Sequence, residues 1–197
     1  MVSAGRNNPQ GLTPTMPKLD ESRSFIPVGI AVLTVSDTRT LADDKSGDTL
    51  AARITEAGHR LVDRAIVRDD KATIYDTVRD WTLRDDIDVV ITTGGTGFTG
   101  RDVTPEALQP LFEKVMDGFS AIFHRISYDK IGTSTIQSRA TGGVANATFI
   151  FVLPGSPGAC KDAWDGIIRD QLDYRHMPCN FVEIMPRLDE HLRRGGK

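Results

Sequence analysis

From Val28 the chain reads Val-Gly-Ile-Ala-Val-Leu-Thr-Val, an almost unbroken aliphatic run with no polar face to offer water. That is the pattern of a strand buried on both sides of a parallel sheet. Between Gly47 and Ala57 the apolar positions Leu50, Ile54 and Ala57 recur at three- and four-residue spacing and stop at Gly58, which predicts a helix closed by a left-handed cap residue. The same switching of period predicts a strand at Leu61 to Val67, a helix at Ala72 to Leu83 with Ile74, Val78 and Trp81 inward, and a strand at Asp88 to Thr93. Thr104-Pro105 joins a capping side chain to a residue preset for a first helical turn, so a helix is expected from there to about Asp117, followed by another over Phe119 to Tyr128. Gly132 to Asn146 is too irregular to assign. Phe149 to Leu153 reads as a buried strand, and Ser156-Pro157 opens a helix to about Leu172. Strands alternating with helices imply one α/β domain of three layers, α/β/α, around a mostly parallel sheet.

The ends differ in pattern. Residues 1–24 are rich in Gly, Asn, Pro and Ser and lack apolar periodicity, so a flexible tail is expected there, with the domain at 25–182 and a C-terminal tail at 183–197.

Composition narrows the function classes. With 24 basic and 27 acidic residues the net charge is −3, and the charges are dispersed, which is no footprint for nucleic acid. The apolar runs are strand-sized, short of the roughly 20 residues that a membrane-spanning helix needs. The N-terminus lacks the apolar stretch of a secretory signal, so a soluble, cytoplasmic chain is expected. Cys160 and Cys179 lie far apart and form no C-x-x-C pair, and the four histidines have no metal-ligand spacing. Both cysteines are read as reduced thiols, and a small-molecule ligand is the expected partner.

In open α/β sheets, ligands bind beyond the carboxyl ends of the strands. Three aliphatic runs lead into unusual loops: Ser36-Asp37-Thr38, Thr93-Gly94-Gly95-Thr96-Gly97 and Pro154-Gly155-Ser156-Pro157-Gly158. The Gly94 to Gly97 loop can aim several backbone N–H groups at an anion, because glycine accepts left-handed geometry; a plain tight turn is the alternative. A Walker loop is excluded, since Gly100 is followed by Arg101-Asp102 rather than Lys-Ser/Thr. Gly95-x-Gly97-x-x-Gly100 fits the dinucleotide fingerprint but follows the third strand instead of the first. Asp44 and Asp102 follow the first and third runs, and two carboxylates beside a phosphate nest suit a hydrated magnesium ion; each alone is equally a helix cap. Arg39, Arg101, Arg139 and Lys161 lie in or near these loops.

In order and spacing, Leu33-Thr34-Val35-Ser36-Asp37-Thr38, Asp44-Lys45-Ser46-Gly47, Thr92 to Gly97 with Arg101 to Glu106, and Leu153 to Pro157 resemble the MoaB/Mog family of molybdenum-cofactor biosynthesis proteins. Gly132-Thr133-Ser134 and Gln137-Ser138-Arg139 are closest to its MoaB branch. The resemblance implies a pocket for molybdopterin, adenylylation of that pterin by magnesium-ATP, a homotrimer or homohexamer, and partners among other proteins of the pathway. Within it Asp44 and Asp102, read here as holding Mg2+, match the essential aspartates, and Gly94, Gly95, Thr96 and Gly97 match the molybdopterin loop. Ser36, Asp37, Ser138, Arg139, Pro154 and Gly155 match further pocket positions. A non-catalytic molybdopterin carrier of the same pathway is the alternative that the resemblance leaves open.

Overall fold

The computed structural model describes residues 18–191. Residues 1–17, most of the expected N-terminal tail, lie outside the described residues. Four parallel strands, β2 (Gly29–Val35), β3 (Arg60–Val67), β4 (Val89–Thr93) and β7 (Thr148–Leu153), form the body of a six-stranded sheet. The strands β5 (Lys114–Val115) and β6 (Thr141–Ala145) complete it, in the order β3-β2-β4-β7-β6-β5. Every residue of β2, β4 and β7 is buried, as their continuous aliphatic pattern requires. Alternate side chains divide between two cores. Ile30, Val32, Val89, Ile91, Phe149 and Phe151 enter one, while Ala31, Leu33, Val90, Ile150 and Val152 enter the other.

Helices cover both faces. The first core is closed by α1 (Lys45–Glu56) and α4 (Asp117–Ile131), together with α5 (Pro157–Ala163), which continues through a π-helical turn at Trp164–Ile168 into α6 (Arg169–Gln171). The second core is closed by α2 (Lys71–Thr82) and α3 (Thr104–Leu108). This is the three-layer α/β/α arrangement expected from the alternation of periods.

Two segments depart from expectation. The helix expected to reach Asp117 ends as α3 at Leu108 and tightens into a 3-10 turn at Gln109–Leu111 before β5. Pro110 has no N–H for the ladder and its ring crowds the carbonyl four residues back, so the α-helix cannot continue. The unassigned stretch contains a 3-10 segment at Gly132–Gln137 and then β6, which pairs antiparallel with β7 across Asn146 and Ala147. Both turn residues have positive φ, 45° and 61°, the geometry of a tight hairpin turn.

Among the described residues, the segments that flank 25–182 also carry structure. A strand β1 at Lys18–Leu19 pairs with β8 at His176–Met177. Beyond α7 (Phe181–Ile184), Met185 and Leu188 pack against the first core, and Phe181 stacks on Phe149 at 4.5 Å.

His59 is buried between Phe25 and Trp164 and accepts the Val28 N–H on Nδ1 at 3.3 Å. Burial pushes its pKa from 6.5 down to about 4, against a smaller opposing pull from Asp173. The unfolded chain therefore takes up this proton first. Stability from neutral His59 is complete above pH 6.5 and declines as pH falls towards 4, by about 3 kcal/mol over the window. Urea unfolding of wild type and His59→Gln across pH 4 to 7 checks this, and a decline of equal size in both proteins would assign it elsewhere.

Candidate functional site

The strand order changes direction beside β2: the chain leaves β2 for β3 on one side, then crosses to β4 on the other. A crevice opens at such a switch, outside the carboxyl ends of the two strands. The loops after β2 and β4 flank it, and the loop after β7 lies alongside. Gly94 and Gly95 have φ of 104° and 62°. A side chain at Gly94 would put its Cβ 2.2 Å from Val35 O, and one at Gly95 would come within 2.4 Å of Thr104 Oγ1. Glycine is therefore required at both positions, by backbone conformation and by space. Thr104 fastens the turn from below, its hydroxyl donating to Gly94 O at 2.9 Å and its N–H to Gly95 O at 2.9 Å. The N–H groups of Gly95 and Thr96 meet no acceptor among the described residues, so the turn has the form of an anion nest.

Around the nest, several expected residues are occupied in building it. Ser36 closes the loop after β2, its Oγ accepting from the N–H groups of Thr38 and Arg39 at 3.3 and 3.2 Å. Asp102 accepts from the hydroxyl and N–H of Thr99 at 2.6 and 2.9 Å. The Thr99 hydroxyl is the main cause of its lowered pKa, with Gly97 N–H assisting. Arg139 clamps the same loop. It donates to Thr96 O and Asp102 O, both at 2.9 Å, pairs with Glu106, and lies 5.3 Å over the Phe98 ring. Ser138 O lies 2.6 Å from His124 Nε2, which anchors this segment to α4. Pro154 O accepts from Thr93 Oγ1 at 2.9 Å, and Gly155 O accepts from Ser46 Oγ at 2.8 Å and Arg39 Nη1 at 3.2 Å.

Asp44 is not open to the crevice. It caps α1 by accepting Gly47 N–H at 2.9 Å, and it also takes Thr34 Oγ1 at 2.7 Å and Arg64 Nη2 at 2.9 Å, with its side chain wholly buried. Burial by itself would raise its pKa, but Gly47, Arg64 and Thr34 together hold it below the usual carboxylate value. Each oxygen already accepts a hydrogen bond and the side chain meets no solvent, so Asp44 serves as cap and anchor of α1. Among the described residues no group of three or more His, Cys, Asp or Glu side chains is arranged to hold a metal ion.

The acidic residue beside the nest that sequence reading passed over is Asp69, at the carboxyl end of β3. Its Oδ1 approaches Gly95 so closely that a Cβ there would sit 2.9 Å away. Burial raises the pKa of Asp69, and the charges of Asp37 and Asp102 add to the effect while Arg101 opposes it. Asp37 is held across the crevice in a two-pronged ion pair with Arg101, at 2.7 and 2.9 Å. The strand-end rule applied to Val67-Arg68-Asp69 would have found Asp69. Of the two cysteines, Cys160 is buried beside Thr93, its thiol pushed up to about 11 by burial, and Cys179 is exposed; neither forms a disulfide. A largely apolar cavity of about 450 Å3, lined by Met116, Phe119, Ile122, Ile167 and Phe181, is built from other elements than these loops.

The model of a probable molybdopterin binding domain matches residues 31–174, which include this whole crevice. The chain belongs to the MoaB/Mog family of molybdenum-cofactor biosynthesis proteins. It is 52% identical over 160 residues to molybdenum cofactor biosynthesis protein B of Escherichia coli, covering 81% of this chain and 94% of that one. To the protein of the same name in Bacillus subtilis it is 44% identical over 142 residues, 72% of this chain and 84% of that one. The crystal structure of the tungsten cofactor synthesizing protein MoaB from Pyrococcus furiosus superposes with a TM-score of 0.64 at 30% identity, covering 87% of this chain and 98% of that one. Among the described residues no helix is long and apolar enough to cross a membrane.

Removing the Asp44 carboxylate strands the Arg64 guanidinium without its buried partner and uncaps α1. Asp44→Ala should destabilise the fold by about 3 kcal/mol, read as a lower urea midpoint. A midpoint within experimental error of wild type would show that the carboxylate is not structural.

Proposed function

We propose that this family member binds molybdopterin and adenylylates it with magnesium-ATP, releasing pyrophosphate. The observation that carries the reading is the nest of free N–H groups at Gly95 and Thr96, set at the strand-order switch of a chain from this family. An oxygen of the pterin's terminal phosphate attacks the α-phosphorus of ATP, a bond to the bridging oxygen breaks, and pyrophosphate departs. Such a transfer needs little covalent help; positioning and charge neutralisation do most of the work.

Each role falls to a residue with matching surroundings. The nest holds the attacking phosphate. Asp102 shapes the nest loop through Thr99 and Gly97. Asp69 and Asp102 repel bare phosphate, so polyphosphate enters as its magnesium complex, with the ion arriving as part of the nucleotide. Asp44, buried among its donors, keeps the structural place described above. Exposed Ile122, Tyr128, Ile131 and Ile136 supply apolar surface for a homotrimer or homohexamer.

Incubation of the purified protein with molybdopterin, ATP and magnesium should yield adenylyl-molybdopterin and pyrophosphate in equal amounts. Asp102→Asn and Asp69→Asn should each lower the rate on the order of a hundredfold while molybdopterin binding is kept within about threefold. Tight pterin binding without product in wild type would overturn the adenylyltransferase reading in favour of a molybdopterin carrier.

A further inference from the structure

His124, on α4, has a carbonyl oxygen against each of its ring nitrogens. Nδ1 lies 2.7 Å from Ser120 O, one turn back on the same helix, and Nε2 lies 2.6 Å from Ser138 O. A carbonyl oxygen only accepts, and a neutral imidazole carries a single N–H. Either neutral tautomer therefore sets a nitrogen lone pair against an oxygen at hydrogen-bond distance. The Ser120 hydroxyl is 3.4 Å from Nδ1, too far to take the place of that contact. The doubly protonated ring donates to both carbonyls.

The Ser138 carbonyl belongs to the peptide from which Arg139 departs. Arg139 donates to Thr96 O and Asp102 O, both at 2.9 Å, and so clamps the loop that carries the nest. A pocket of about 330 Å3 opens beside the half-buried ring, lined by Gln109, Phe112, Ser120, His124, Ser138 and Arg139, and gives its protons a path to water. The 3-10 segment and β6, which pack on α4, carry no charge. Arg139 pairs with Glu106, Glu113 with His191 at 3.8 Å, Lys130 with Asp162 of α5, and Asp165 of the π-helical turn with Arg53. Lys114 on β5 and Asp117, Arg125, Tyr128 and Asp129 on α4 are exposed. Among the described residues none of these groups hydrogen-bonds the ring, whose partners are Ser120 and Ser138.

We infer that His124 is a positioning residue: its doubly protonated ring ties Ser138 to α4 and holds Arg139 on the nest loop, and loss of the second proton slackens that clamp and weakens anion binding at Gly95 and Thr96. The tie itself rests on the two carbonyl contacts, while its effect on binding rests on the phosphate-handling role proposed above. Imidazole is the side chain that exchanges a proton in the physiological range, so the clamp depends on pH. Its sense is opposite to that of His59, whose protonation in acid costs stability.

The test uses nitrogen-15-labelled protein from about pH 5 to 8. Long-range spectra of the imidazole count its protons, and the Arg139 Nε–H resonance reports the clamp. Inorganic sulfate, whose charge is constant over this range, reports the nest through the Gly95 amide. In wild type the ring should carry two protons at the acid end. As it loses one, the Arg139 signal should broaden and sulfate affinity should fall about threefold to tenfold, both with the midpoint of the ring's own titration. His124→Arg, a cation that keeps its protons, should hold the acid-end affinity throughout. His124→Phe, which has no donor, should show the alkaline-end affinity throughout. If His124→Phe does not fold, wild type and His124→Arg still decide the question. A ring with one proton at every pH, or an Arg139 signal or sulfate affinity that ignores the ring's titration, would overturn the inference. An Arg139 signal that follows the ring in a protein that binds no sulfate would instead refute the anion site of the proposed function and leave the clamp standing.

Discussion

The reversal of strand order between β2 and β4 is the constraint on which the site depends. Two neighbouring parallel strands whose chains leave in opposite directions cannot have their exits bridged by one connection, so a crevice is left above them. Backbone amides at strand ends must then find partners in other loops, in side chains or in a ligand. Thr104, Ser36 and Thr93 satisfy most of the groups around this crevice and leave a small set of N–H donors open. The nest is thus what remains after the fold has used the polar groups it needs.

Beneath the crevice lies a second polar layer centred on the buried Asp44 carboxylate. Asp44 ties the start of α1 to β2 through Thr34 and to β3 through Arg64, which also pairs with Asp48. A carboxylate without access to water persists only where donors replace its hydration, and here an arginine, a hydroxyl and an amide do so. Ser46 and Arg39 extend the layer to Gly155 O. One stretch of eight residues, from Arg39 to Ser46, thereby connects the first strand exit, the first helix and the last strand exit.

Charge at the rim is set by contrast rather than by total. Asp37, Asp69 and Asp102 gather near one arginine, Arg101, which is already committed to Asp37. The open backbone N–H groups of the nest are thus set against three neighbouring carboxylates. Arg139, an obvious phosphate ligand by type, is spent on two carbonyls, Glu106 and the Phe98 ring. A guanidinium with five donors serves equally well to fasten a loop as to bind substrate.

The sequence by itself determined the layers, because strands buried on both faces and helices with one apolar stripe have periodicities that no other arrangement satisfies. It also marked the left-handed turn at Gly94 and Gly95. It could not show that α3 would stop at Pro110 and give way to β5, since a short edge strand depends on the partner it pairs with. Nor could it separate Asp44 from Asp69. Both are aspartates in the segment between a strand and the next helix, and only burial beside Arg64 makes one a strut, while proximity to Gly95 places the other at the candidate site. Tertiary structure decided these matters because a carboxylate's role is fixed by which donors and charges lie within a few ångströms, and those come from residues distant in the chain.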